Sequence, residues 1–238
     1  MNKKQWKDLL LKLAFLLMLI SCVVLSLVFL LRDTARLDSV AQAGLHTLVI
    51  DPGHGGYDGG AISDDGNKES DINLAIALKL RCLSELLGQP YLMTRSDDSV
   101  GCEFSQYSEH EDLMRRTEIV NETPAAIFIS IHQNDFPTSQ PSGAQVLYAA
   151  SEGSAELGRR CHQNLISLLD PQNRRVAEPA PKALYITSHV SCPAILVECG
   201  FMSNNFEVQK LCSGSYQCSI ALALAGSLLQ FLDKTEML

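Results

Sequence analysis

The sequence predicts an α/β fold, a single three-layer domain with a mostly parallel central sheet flanked by helices, preceded by one N-terminal transmembrane helix. Three observations carry this. Short apolar runs alternate along the chain with longer segments of helical period. The run Ala126–Ile131 is almost continuously apolar, as a strand covered on both faces must be. The sequence beyond the N-terminal apolar stretch suffices for one domain with a substantial core and leaves little room for a second.

The elements follow in order. Leu13–Leu31 carries no charge, and at about 1.5 Å rise per residue it nearly spans a hydrocarbon core of about 30 Å. Lys3, Lys4, Lys7 and Lys12 precede it against Asp8 alone, whereas Arg32 and Arg36 follow it balanced by Asp33 and Asp38. Residues 1–12 are therefore expected in the cytoplasm, 13–31 as a signal-anchor, 32–45 as a linker, and 46–238 as a domain outside the cytoplasm. Ala41-Gln42-Ala43 resembles a cleavage site but lies far beyond the apolar run, and the lipoprotein-like Leu19-Ile20-Ser21-Cys22 is followed by more apolar sequence. An uncleaved anchor fits both facts.

Thr47–Ile50 is a first buried strand that runs into the Gly-rich loop opening Asp51-Pro52-Gly53. From Ser70 as N-cap, Ile72, Ile76, Leu80, Leu83 and Leu87 recur at helical spacing up to Gly88. Tyr91–Thr94 reads as a strand, Leu113–Val120 as a helix, Ala126–Ile131 as a strand, and Gln145–Tyr148 as another. Ala155–Leu169 reads as a helix, Ala194–Val197 as a strand, and Ser215–Leu232 as a closing helix.

Composition excludes some classes of function. With 27 acidic against 19 basic residues the formal charge is −8, and no basic block is present, so no nucleic-acid footprint exists. Eight cysteines, with Cys22 in the apolar run, leave an odd number in a domain too large to need staples, and most are read as buried thiols. Cys199 is a candidate for adventitious binding of a soft metal.

Chemistry collects where strands end. Ile50 leads to His54, Ile131 directly to His132 and Val197 directly to Glu198, and ligands in open α/β sheets bind beyond the carboxyl ends of strands. Glu69, just before the first helix in the loop that begins near His54, can fold back to the same end. Two imidazoles and one carboxylate with an open fourth position form a recurrent catalytic zinc set. A further carboxylate can then move protons for the bound water. Taken singly, each His can merely cap backbone and each Glu can merely face solvent; their convergence on separate strand ends favours a site. His110-Glu111-Asp112-Leu113-Met114 is not a zinc-protease helix, because Met114 stands where the second His must be. Gly53–Asp58 fails as a dinucleotide fingerprint because Asp58 replaces its last glycine, and no nucleophile elbow or Walker lysine occurs.

Five ordered blocks, Asp51-Pro52-Gly53-His54-Gly55-Gly56, Lys68-Glu69-Ser70-Asp71-Ile72-Asn73-Leu74, Thr94-Arg95, Ser130-Ile131-His132-Gln133-Asn134 and Val197-Glu198-Cys199-Gly200-Phe201-Met202-Ser203-Asn204, resemble the zinc-dependent N-acetylmuramoyl-L-alanine amidases of the Amidase_3 type. Gly59-Gly60-Ala61, Ser142-Gly143-Ala144-Gln145, the length and the single anchor bring the likeness closest to the germination-specific, spore-cortex amidases. The resemblance implies Zn2+ held by His54, Glu69 and His132, with Glu198 as general base and acid. The reaction it implies is hydrolysis of the bond between the muramic-acid lactyl group and L-alanine of peptidoglycan. Gln133, Ser70 and Cys199 depart from the family pattern without removing a ligand. Residues 97–112 are too few for the inserted regulatory helix that blocks some division amidases.

Asn134 is a candidate for substrate binding or for holding its loop, and Arg95, Arg115 and Arg116 are candidates for pairing with stem-peptide carboxylates. The expected partners are peptidoglycan, the membrane through the anchor, and a protein activator of unknown identity. Two alternatives remain at this stage: a zinc peptidase acting on the stem peptide, and an inactive anchored protein that binds peptidoglycan.

Overall fold

The computed structural model describes residues 46–99 and 107–235, so the expected transmembrane helix at 13–31, the cytoplasmic residues 1–12 and the linker 32–45 lie outside the described residues. Six strands form one sheet in the order β2-β1-β3-β6-β4-β5. They are β1 (Thr47–Pro52), β2 (Tyr91–Met93), β3 (Ala126–Asn134), β4 (Gln145–Tyr148), β5 (Glu178–Pro179) and β6 (Ala194–Phe201). Every pairing is parallel except β4 with β6, which gives the mostly parallel sheet the sequence predicts. The helices are α1 (Glu69–Leu87), α2 (Glu109–Glu122), α3 (Ser154–Leu169), α4 (Tyr185–His189), α5 (Asn205–Leu211) and α6 (Gly214–Thr235).

The pleat of β3 explains the layers. Ile127, Ile129 and Ile131 point into the larger core with Ile50, Ile76, Leu80, Leu157 and Leu224, under α1, α3 and α6. Phe128 points the other way, into a smaller core with Val49, Val120 and Ile186, under α2 and α4. Both faces of the strand are thereby dry, which is why its sequence shows almost no alternation. Gly214–Asp233 in α6 is long and apolar enough to cross a membrane, yet half of it is buried against the domain. Its apolarity reflects packing on α1 and α3.

Several boundaries differ from the sequence reading. Helix α1 begins at Glu69 after Lys68, not after Ser70, so Glu69 belongs to the first helical turn and not to the preceding loop. Helix α2 reaches back to Glu109 because Ser108 caps it, its side chain accepting from the Glu111 amide at 3.4 Å. Strand β5 and helices α4 and α5 were absent from the expectation, since elements of two to seven residues are too short to show a period. The six described cysteines that are free thiols include three exposed ones, Cys82, Cys212 and Cys218, against two buried, Cys161 and Cys199. The expectation of mostly buried thiols is corrected to that extent.

The topology locates the crevice. From β1 the chain crosses to β2 on one side and then to β3 on the other, so the order reverses between β1 and β3. Loops diverge at such a switch point and leave a crevice at the carboxyl ends of the strands.

Candidate active site

Strand β1 delivers its loop to that crevice, and the loop is held from below. Asp51 is fully buried, accepting from the Thr94 hydroxyl at 2.6 Å, from the Ser130 hydroxyl at 2.7 Å and from Arg116 Nη1 at 2.8 Å. Burial alone would raise the Asp51 pKa, but the Arg116 guanidinium and the two hydroxyls outweigh it and hold the carboxylate ionised. Arg116 also donates to Asp112 at 2.7 Å, to the Pro52 carbonyl at 2.9 Å and to the His54 carbonyl at 2.7 Å. That last bond clamps His54 in the left-handed region at φ 61°, a conformation a residue with a side chain adopts only when its surroundings impose it.

The turn aims the His54 ring into the crevice. Its Nδ1 lies 2.6 Å from Asp58 Oδ2, and its Nε2 lies 3.3 Å from Glu69 Oε1. His132, at the end of β3, brings Nδ1 to 3.1 Å from the same Glu69 oxygen. The two imidazoles meet edge to face with centroids 5.0 Å apart. All three side chains offer donor atoms within 4.8 Å of one another. A tetrahedral zinc site with arms of about 2.0 Å has edges of about 3.3 Å, so the two contacts at Glu69 match the edges of such a site. The donor chemistry and the spacing both fit Zn2+, with the Asp58 carboxylate positioned to fix the tautomer of His54.

Electrostatics follow from this crowding. Burial would lower the His54 pKa, but the hydrogen bonds and charges of Asp58 and Glu69 raise it to about 10 in the ion-free chain. Burial would raise the Glu69 pKa, but hydrogen bonds to His132 and His54 and their charges pull it well below the carboxylate range. Glu198 behaves in the opposite way. It stands opposite His132 in register, and burial together with the Glu69 charge raises its pKa to about 7 against the opposing pull of the histidines. Its Oε2 is buried without a hydrogen-bond partner among the described residues. A carboxyl group near neutrality with a free oxygen is suited to exchanging protons with a bound molecule.

Two glycines permit the approach. A Cβ on Gly53 would lie 2.2 Å from the His132 ring, and one on Gly60, at φ 63°, would lie 2.6 Å from Glu69 Oε2 and 2.7 Å from the His54 ring. Beyond the cluster runs a cleft of about 270 Å³, walled by Tyr107 and the first turns of α2 on one side and by Leu184 and the first turn of α4 on the other. Its floor includes His54, His132 and Glu198.

The remaining candidates lie elsewhere. Arg95 is buried, and its guanidinium donates to the carbonyls of Pro52, Gly53, Ser70 and Asp97, so it holds the loop and has no free face for a substrate carboxylate. Asn134 ties β3 to β6 through its carbonyl, which accepts from the Met202 amide at 2.7 Å, and its side chain is not in the cleft wall. Arg115 is bonded to Asp112, and Arg116 is committed to the Asp51 network. Cys199 turns into the core away from the cluster, and burial raises its thiol pKa well above the ordinary value. Asp58, Tyr107 and α4 were not anticipated. Asp58 had a local signal, since it sits four residues after His54 in a Gly-rich turn; Tyr107 and α4 reach the cleft only through the fold.

Comparison with known proteins agrees with this geometry. A family model described as N-acetylmuramoyl-L-alanine amidase, Amidase_3, matches residues 48–230. The germination-specific N-acetylmuramoyl-L-alanine amidase of Bacillus subtilis (strain 168) is 31% identical over 198 residues, covering 79% of this chain and 80% of that protein. Among solved structures, the CwlD amidase of Clostridioides difficile, in complex with the GerS lipoprotein, superposes with a TM-score of 0.74 at 36% identity, covering 79% of this chain and 98% of that one. The N-acetylmuramoyl-L-alanine amidase of Clostridium difficile 630 gives a TM-score of 0.71 at 30% identity, covering 80% and 98%. The chain belongs to the Amidase_3 family, and it is an N-acetylmuramoyl-L-alanine amidase that hydrolyses the bond between the muramic-acid lactyl group and L-alanine in peptidoglycan.

Proposed function

We propose that the chain is a zinc-dependent amidase of spore-cortex or cell-wall peptidoglycan, held to the membrane by residues 13–31 with its domain, residues 46–238, outside the cytoplasm. The observation that carries the metal reading is the pair of 3.1 and 3.3 Å separations of the two histidines from one oxygen of Glu69. His54, Glu69 and His132 would hold the ion, which when bound supplies a water of lowered pKa and a positive charge for the developing oxyanion.

The chain's own residues do the rest. Asp58 holds the His54 ring in one tautomer, leaving Nε2 for the ion. Glu198 takes the proton of the attacking water as the lactyl carbonyl is attacked, and returns it to the L-alanine nitrogen as the amide bond breaks, because an amine leaves only when protonated. The unpartnered Oε2 of Glu198 is the atom suited to both transfers. Arg95 and Arg116 fix the loop that carries His54. A protein partner for this chain is suggested by the CwlD structure, which contains a lipoprotein.

The test is mass spectrometry of peptidoglycan incubated with membranes from cells expressing the full chain. Stem peptides with a free L-alanine amino group should be released from intact glycan, activity should sediment with the membranes, and chelation should abolish it until zinc is restored. Peptides cut internally, activity in the soluble fraction, or indifference to chelation would each contradict the corresponding part.

A further inference from the structure

Three segments of the chain must meet for the cluster to exist: the loop after β1, the start of α1 and the end of β3. One side chain touches all three, and it belongs to none of the ligands. Asn73 is fully buried in α1, one turn after Glu69. Its Nδ2 donates to the Gly53 carbonyl at 3.1 Å, adjacent to His54, and to Glu69 Oε1 at 3.3 Å. Its Oδ1 accepts from Gln133 Nε2 at 3.0 Å, adjacent to His132. A carbonyl and an ionised carboxylate can only accept, so the amide has a single orientation that satisfies every bond. Aspartate would lack the two donors, and leucine would lack all three bonds.

We propose that Asn73, backed by Gln133, is a positioning residue that assembles the His54–Glu69–His132 cluster before any ion enters it. The inference rests on the zinc reading given above. Glu69 Oε1 also accepts from the Gln133 amide at 3.0 Å, so the oxygen that both histidines approach is steered by two donors from behind. The Ala61 N–H holds the other oxygen, Glu69 Oε2, at 3.0 Å, so without Asn73 the carboxylate loses one of its fixing bonds and the donors of three separate segments are held together less tightly. Outer partners of metal ligands are typically worth about 10- to 100-fold in metal affinity.

Gln133 separates positioning from mere folding. Its Oε1 is buried and has no hydrogen-bond partner among the described residues. Gln133→Met keeps the volume and removes this unpaired acceptor while leaving Asn73 Oδ1 unpaired in its place, so the number of unsatisfied buried acceptors stays the same and stability should change little, yet Asn73 loses the bond that fixes its amide.

The experiment measures zinc affinity by chelator competition, and thermal midpoint without metal, for the full chain in detergent and its variants. Asn73→Ala should bind zinc about 10- to 100-fold more weakly. Gln133→Met should bind it several-fold more weakly at a nearly parental midpoint. Leu165→Ala, in the core of α3 away from the cluster, should lower the midpoint without changing zinc affinity. In the cobalt-loaded protein, the visible absorption of Asn73→Ala should depart from that of the parent. If Asn73→Ala fails to fold, Gln133→Met alone decides. Parental affinity in both variants, or in Gln133→Met alone where Asn73→Ala does not fold, overturns the positioning role and leaves the zinc reading standing. A parent chain that takes up no zinc overturns both.

Discussion

Glu198 carries a carboxyl whose pKa moves up where those of Asp51 and Glu69 move down. Its neighbours are a buried wall and the Glu69 charge, so its pKa in the folded chain rises to about 7 from an ordinary 4.5. A raised carboxyl binds more protons folded than unfolded between those two values. Folding stability is therefore highest below pH 4.5 as far as this group is concerned, and is lost as pH rises through 7. Urea midpoints measured in chelator from pH 4.5 to 6.5 should fall for the parent relative to Glu198→Gln, which has nothing to titrate there. Parallel curves would mean that Glu198 is not held as described. Of the residues that matter here, His54, His132 and Glu198 were legible in the sequence because strand ends announce themselves. Asn73 was not, and Arg116 reads from the sequence only as a partner for substrate carboxylates, because a buried polar residue on a helix looks like any solvated one until the partner segments are in place. Arg95 likewise reads from the sequence as a partner for substrate carboxylates, whereas here it donates to four backbone carbonyls.

At the scale of elements, the loop after β1 is the part that cannot be changed freely. Gly53 lies under the His132 ring, so Gly53→Ala must push that ring or the strand by more than an ångström to clear a 2.2 Å contact. Zinc affinity and turnover should fall together, by at least tenfold, while circular dichroism keeps the native helix content. Gly226, inside α6, where an added Cβ would meet nothing within 4 Å, makes the contrast. Gly226→Ala should raise stability by about 0.5–1 kcal/mol through helix propensity and leave turnover unchanged. Thermal unfolding and a dye-release assay on both variants check the pair. The long elements were readable from periodicity because both faces of the sheet demand apolar cover. Helix α4, which walls the cleft, was not, since its five residues span little more than one turn and its place is set by packing on α2.

For the whole molecule, the switch in strand order between β1 and β3 gathers groups from three parts of the chain at one end of the sheet. The larger core under α1, α3 and α6 makes the sheet a rigid base, and the thinner layer of α2 and α4 leaves the cleft open on the other side. This division of labour puts one carboxylate, Glu69, against two imidazoles and leaves Oε2 of another, Glu198, without a hydrogen-bond partner among the described residues. The two glutamates therefore carry the account. The direct test is zinc content and turnover on peptidoglycan for Glu198→Gln and Glu69→Gln in parallel. Glu198→Gln should keep one zinc per chain and lose about 10² to 10⁴ in rate, since its amide cannot take a proton. Glu69→Gln should hold zinc less tightly, as a neutral amide oxygen is a weaker donor. An empty site in Glu198→Gln with a full one in Glu69→Gln would exchange the two roles, and parental turnover in both would place the active site elsewhere.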